Sequence, residues 1–177
     1  MNEFVFFNTY FVPKSEKNTV SGSTSVSISG GFIGQASGTS MTQCHNFGFQ
    51  YDASAPIIIC HGNTCGGFIG HVRAVTLAQC SLKRGLILIF GGCISGPFVG
   101  GFIGVSDSFS SVKMSQVAVL EEVSFQIDSS ANCAYVGGLF GDICYGTRVT
   151  FTDSFCRASF NSDVSSPVKN LFSNFYF

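Results

Sequence analysis

A five-residue box, Gly-Gly-apolar-apolar-Gly, recurs four times, starting at Gly30, Gly66, Gly100 and Gly137 and therefore at intervals of 36, 34 and 37 residues. The copies read Gly30-Gly31-Phe32-Ile33-Gly34, Gly66-Gly67-Phe68-Ile69-Gly70, Gly100-Gly101-Phe102-Ile103-Gly104 and Gly137-Gly138-Leu139-Phe140-Gly141. A motif held at a near-constant period restricts the chain to folds in which each repeat builds one unit and buries its apolar face against its neighbours.

The repeat extends beyond the box. Thr39-Ser40-Met41-Thr42, Val75-Thr76-Leu77-Ala78, Val112-Lys113-Met114-Ser115 and Val149-Thr150-Phe151-Thr152 follow the four copies in turn. Aligned, they give one column of Thr39, Val75, Val112 and Val149 and a second of Met41, Leu77, Met114 and Phe151, with polar residues between. Alternation of period two predicts a strand with one buried face. A third apolar run comes next: Phe47 and Phe49 with 57–59, then 86–90, then Val123, Phe125 and Ile127, then a weaker run over 160–168. Val26-Ser27-Ile28 reads as the tail of an incomplete earlier repeat. The loop after the box is seven residues from Gly34 to Met41 and from Gly70 to Leu77, but ten from Gly104 to Met114 and from Gly141 to Phe151. Insertions confined to one loop are what repeat folds tolerate.

Each period thus offers about three short strands separated by Gly, Ser, Asn or Pro turns. Helical repeats need long 3.6-periodic segments, which are absent, and propeller blades need four strands each. The expected fold is all-β, a right-handed parallel β-solenoid (β-helix) of about four rungs, with three strands in each rung. Residues 26–160 form the repeats, 1–25 a cap or lead-in, and 161–177 an aromatic cap or a truncated next rung. In the box, glycine lets the backbone turn sharply and pack closely.

The box, read as Gly-Phe-Ile-Gly three times and Gly-Leu-Phe-Gly once, resembles the GLUG-motif repeats of surface-located proteins. That resemblance implies a non-catalytic, adhesin-like β-solenoid module at the cell surface or secreted, and it carries no catalytic residues across.

Composition narrows the function classes. Charged residues are 11% of the chain and the formal net charge is -1, so disorder driven by charge is excluded. Nucleic acid is not an expected partner, because Lys83-Arg84 is the nearest thing to the basic cluster such binding requires. No Asn-x-Ser/Thr sequon occurs, and Met1 to Pro13 lacks the features of a signal peptide. Residues 85–106 are uncharged and long enough to span a bilayer, with Gly96, Gly100 and Gly104 at GxxxG spacing. They also contain seven Gly and one Pro and end in a box copy, so insertion is not expected.

Candidate chemistry is sparse. Cys44 and Cys80 sit ten residues after their boxes, each behind a Gln, and Gln116-Val117 takes the matching place in the third repeat. The column reads as small and apolar, with reduced buried thiols, although a disulfide between neighbouring repeats is an alternative. Cys60, His61 and Cys65 have part of a zinc-ligand spacing, with Cys44-His45 as the nearest further donors. A turn with incidental His and Cys is the expectation, and no metal or cofactor follows. Glu121-Glu122, adjacent on a strand, are expected to face opposite ways. Phosphate-loop and dinucleotide patterns are missing. Thr42, Thr76 and Thr150, in related columns, do not extend into an ice-binding array.

The expectation is a non-enzymatic structural or adhesive module with a protein or glycan partner. A β-helical carbohydrate-active or carbohydrate-binding protein is the alternative, and it requires converging carboxylates among Asp107, Asp142, Asp153 and the glutamates. A membrane association through 85–106 is the second alternative. Phe4, Phe6, Phe7, Tyr10 and Phe11 open the chain and Leu171, Phe172, Phe175, Tyr176 and Phe177 close it. These ends suggest caps or end-to-end self-association.

Overall fold

A computed structural model describes residues 20–21, 28–46, 56–60, 64–90, 97–128, 135–162 and 171–172. The aromatic N-terminal segment, Phe47, Phe49 and His61 lie outside these residues, and of the aromatic C-terminus only Leu171–Phe172 lies within them.

Every regular element among the described residues is a β-strand, and the strands form three sheets in which each pairing is parallel. One sheet contains the apolar runs: Val20–Ser21, Pro56–Cys60, Ser81–Ile89, Ala118–Ile127 and Phe155–Cys156, with His45–Asn46 and Ser159–Ser162 attached. The second is built from the short strands that enter the boxes, Ile28–Gly30, Thr64–Gly66, Phe98–Gly100 and Tyr135–Gly137, and adds Leu171–Phe172. The third holds Ile33–Ala36 with Thr39–Thr42, Ile69–Ala78, Ile103–Ser115, and Phe140–Ile143 with Arg148–Thr152.

Neighbours in every sheet are equivalent segments of successive repeats. The expected columns are observed: Thr39 pairs with Val75, Val75 with Val112 and Val112 with Val149, while Met41, Leu77, Met114 and Phe151 follow the same register. Ile28 pairs with Thr64, which lies just before the second box at the end of the first period, and Val20 and Ser21 pair with Ile58 and Ile59, so the segment before the first box is the tail of an incomplete earlier repeat. Thr42 aligns with Ala78 and Thr152, whereas Thr76 aligns with Ser40 and Thr150, so those threonines occupy two columns. Glu121 and Glu122 are both exposed, because the register slips between Val119 and Glu122 and breaks the strict alternation.

The box is the bend between the second and third sheets. The Phe68 and Ile69 amides both donate to the Phe102 carbonyl, at 3.1 and 2.8 Å, and the same fork recurs between the first and second and between the third and fourth repeats. Such pairing brings backbones together. A Cβ on Gly66 or Gly100 would overlap the carbonyl of the residue three positions later, and one on Gly67 or Gly101 would overlap the carbonyl of the next box. None of these glycines has positive φ. Close approach, not conformational freedom, is what requires glycine here.

The close stacking lines up the box aromatics. Phe32, Phe68 and Phe102 stack at centroid separations of 4.8 and 4.4 Å, and Phe125 stacks on Phe160 at 4.5 Å. Side chains of all three sheets join one buried apolar cluster that includes Cys65, Val99, Leu77, Met114, Ile87 and Ile127. Each fully buried Val, Leu, Ile or Met side chain among these contributes about 1.5–3 kcal/mol by leaving water.

Candidate functional site

The second bend follows the third sheet. Gln43, Gln79, Gln116 and Asp153 occupy it with φ of 55, 54, 54 and 49°, the left-handed region. The amides of Gln43, Gln79 and Gln116 donate to the carbonyls of Ala78, Ser115 and Thr152 in the next repeat. Immediately after them, Cys44, Cys80 and Ser154 each donate to the carbonyl two residues back, on Thr42, Ala78 and Thr152. The column is therefore more than small and apolar: three of its four members close a local turn through a hydrogen bond, and Val117 is the exception. Cys44 and Cys80 are free thiols, as expected. Burial pushes the Cys80 thiol up to about 11, so it is protonated at neutral pH. Beside this bend Gln43, His45, Gln79, Ser81 and Gln116 line an open groove, with Gln43 donating to Gln79 and His45 Nδ1 2.8 Å from Ser81 Oγ.

Cys60 and Cys65 are not incidental turn residues. They form a disulfide that ties the end of a first-sheet strand to the start of a second-sheet strand, and both are buried. Spent on each other, these thiols ligate no metal, and no group of three ligating side chains occurs among the described residues. The bridge closes a short loop, of sequence separation 5. Replacing both cysteines with alanine is expected to cost about 2 kcal/mol on the chain-entropy account. Urea unfolding checks this, and reductant added to the unaltered protein should reproduce the shift.

The most distinctive surface comes from the longer loops of the third and fourth repeats. A single residue, Arg73, separates paired Val72 and Ala74 in the second repeat, whereas residues 107–110 separate their partners Ser106 and Ser111. In the fourth repeat, residues 144–147 separate Ile143 and Arg148. The two insertions bond to each other. Phe109 N donates to Tyr145 O at 3.0 Å, and Thr147 Oγ1 donates to Asp107 O at 2.7 Å. Ser106 and Ser110 donate to Thr147 Oγ1, each at 3.2 Å, while Cys144 N donates to Ser106 Oγ at 3.1 Å. Ser106 occupies the inward column of Ala36 and Val72, so a buried hydroxyl replaces an apolar side chain to anchor the pair.

This double loop carries Phe109, 76% exposed, and Tyr145, 83% exposed, edge to face at 5.6 Å. At its base His71 Nε2 lies 2.9 Å from Asp107 Oδ1, and the Cys144 thiol lies 3.9 Å from Asp142 Oδ2. Burial first, then the Asp142 and Asp107 carboxylates, pushes the Cys144 thiol up. Of the acidic residues considered from sequence, Asp107 and Asp142 gather at this loop. Asp153 lies at the second bend, and Glu122 lies in the first sheet with Arg84 as its partner. No helix among the described residues is long and apolar enough to cross a membrane, and the described part of 85–106 includes strand residues of all three sheets.

Compared with family models, curated proteins and solved structures, the chain matches none.

Proposed function

We propose that the chain is a right-handed parallel β-solenoid of four rungs that serves as a non-catalytic interaction module and presents its paired loops, 107–110 and 144–147, to a partner. One observation carries this reading: two aromatic side chains stand in solvent on loops that five hydrogen bonds hold in place. Exposed aromatics on an ordered support are what recognition surfaces use, since little side-chain freedom is lost on binding. The parallel pairing of equivalent segments at the repeat spacing supports the solenoid, and the box resemblance supports a surface-type protein. The Cys60–Cys65 bridge fits an oxidising compartment.

The test shortens both loops to the one-residue connection found at Arg73. The immobilised wild-type protein is screened on a glycan array and against a displayed peptide library. Saturable ligands of the wild type should be lost by the shortened variant, whose urea unfolding stays cooperative. Ligands that bind both proteins equally, or turnover of any ligand, contradict the proposal.

A further inference from the structure

We infer that the Phe109–Tyr145 pair is a subsite for one pyranose ring of a neutral glycan, an inference that rests on the paired loops being the recognition element. The first ground is the placement of Phe109. Its φ of 56° is left-handed, a conformation that costs a side chain with a Cβ about 1–2 kcal/mol, and its ring remains largely in solvent instead of gaining burial. Strain that packing does not repay marks functional positions. Gly146, at φ 75°, completes the arrangement: a Cβ there would lie 2.7 Å from Phe109 Cε1, so the ring rests on backbone at that residue. The edge-to-face contact with Tyr145 then orients the second ring relative to the first.

The second ground is what such a surface can hold. A specific protein interface buries about 1,200–2,000 Å² in total, far more than two rings and the neighbouring exposed Ile143 provide. Stacked nucleobases bring phosphates that need a cationic groove. Here the charges balance: Asp107 and Asp142 are matched by Arg73, which occupies the loop position of the adjacent repeat, and by Arg148, which follows the second loop, with His71 on Asp107. A neutral polyol fits this balance. The weakly positive C–H face of a pyranose complements the negative face of an aromatic ring. Asp107, fixed through one oxygen by His71 and still 42% exposed, retains acceptor capacity for hydroxyl groups, and the arginines supply donors.

The test is affinity electrophoresis of the full chain through gels containing cellulose ether, xylan, mannan, β-1,3-glucan or soluble starch. At least one polysaccharide should retard the wild type, to the same extent at low and high salt. Phe109→Ala and Tyr145→Ala should each weaken retardation about tenfold, while Tyr145→Phe, which keeps the ring, should bind nearly as the wild type. Circular dichroism melting of each variant shows that it remains folded. Absence of retardation in all five gels, or retardation unchanged in both alanine variants, overturns the inference. A peptide that binds at the loops when no polysaccharide does also overturns it, and leaves the interaction-module reading standing.

Discussion

Gly100→Ala is expected to leave little or no folded protein. Its added Cβ would lie 2.6 Å from the Ile103 carbonyl carbon and 2.8 Å from the Gly141 amide nitrogen, and would overlap the Ile103 oxygen. All three are backbone atoms, so no rotamer change relieves the clash. Relief requires the box bend to open, and Gly100 is paired there with both Gly66 and Gly137. The cost is expected to exceed about 4 kcal/mol, most of the stability of an ordinary domain. Gly34→Ala is the control within the same motif. Its Cβ would meet nothing closer than the Ile28 oxygen at 3.8 Å among the described residues, so a change within about 0.5 kcal/mol is expected. Denaturant unfolding of the two variants separates glycine needed for stacking from glycine carried by the repeat.

The next largest effect is expected at the box aromatics. Phe102 is fully buried and stacked on Phe68, so Phe102→Ala removes a ring and leaves a cavity, at a cost of about 3–5 kcal/mol. Phe102→Leu should cost less than about 1.5 kcal/mol, because Leu139 occupies the same place in the fourth box. Among the described residues Phe32 stacks on Phe68 alone, and it is 42% exposed, so Phe32→Ala should cost about 1 kcal/mol. Phe102→Ala is expected to have a clearly lower urea midpoint than Phe102→Leu and Phe32→Ala, and equal losses for Phe102→Ala and Phe32→Ala would contradict the stacked arrangement.

The parts of the fold that were legible in the sequence are those where one side chain per repeat meets its equivalent. Val75, Val112 and Val149 form a column in the sequence because parallel in-register pairing places like residues side by side. The box could be read as a bend for the same reason. Of the strands entering the boxes only the one at Ile28 leaves a trace in the sequence, because three residues, as in Thr64–Gly66, are too few to display a period. The left-handed column was visible as Gln43, Gln79 and Gln116, each two residues after Met41, Leu77 and Met114, but a positive φ leaves no mark on a Gln side chain. The Cys60–Cys65 bridge depends on how tightly the chain folds back between two sheets, which spacing alone does not determine.

The candidate site was legible only as a length. Three extra residues in the third and fourth loops were apparent, yet Phe109 and Tyr145 are 36 positions apart and meet because neighbouring repeats stack. One signal pointed to it: Ser106 stands where Ala36 and Val72 are apolar, and a hydroxyl in an inward column needs a partner. That partner is Thr147, in the next repeat's insertion.

The box bends, the aromatic stack and the paired loops all depend on successive repeats lying side by side, and an NMR experiment that detects couplings across hydrogen bonds reads this directly. The amides of Phe68 and Ile69 should both couple to the carbonyl of Phe102, and those of Phe102 and Ile103 to the carbonyl of Leu139. Couplings from those amides to carbonyls nearby in the sequence, as hairpins would produce, would contradict the stacked-repeat fold.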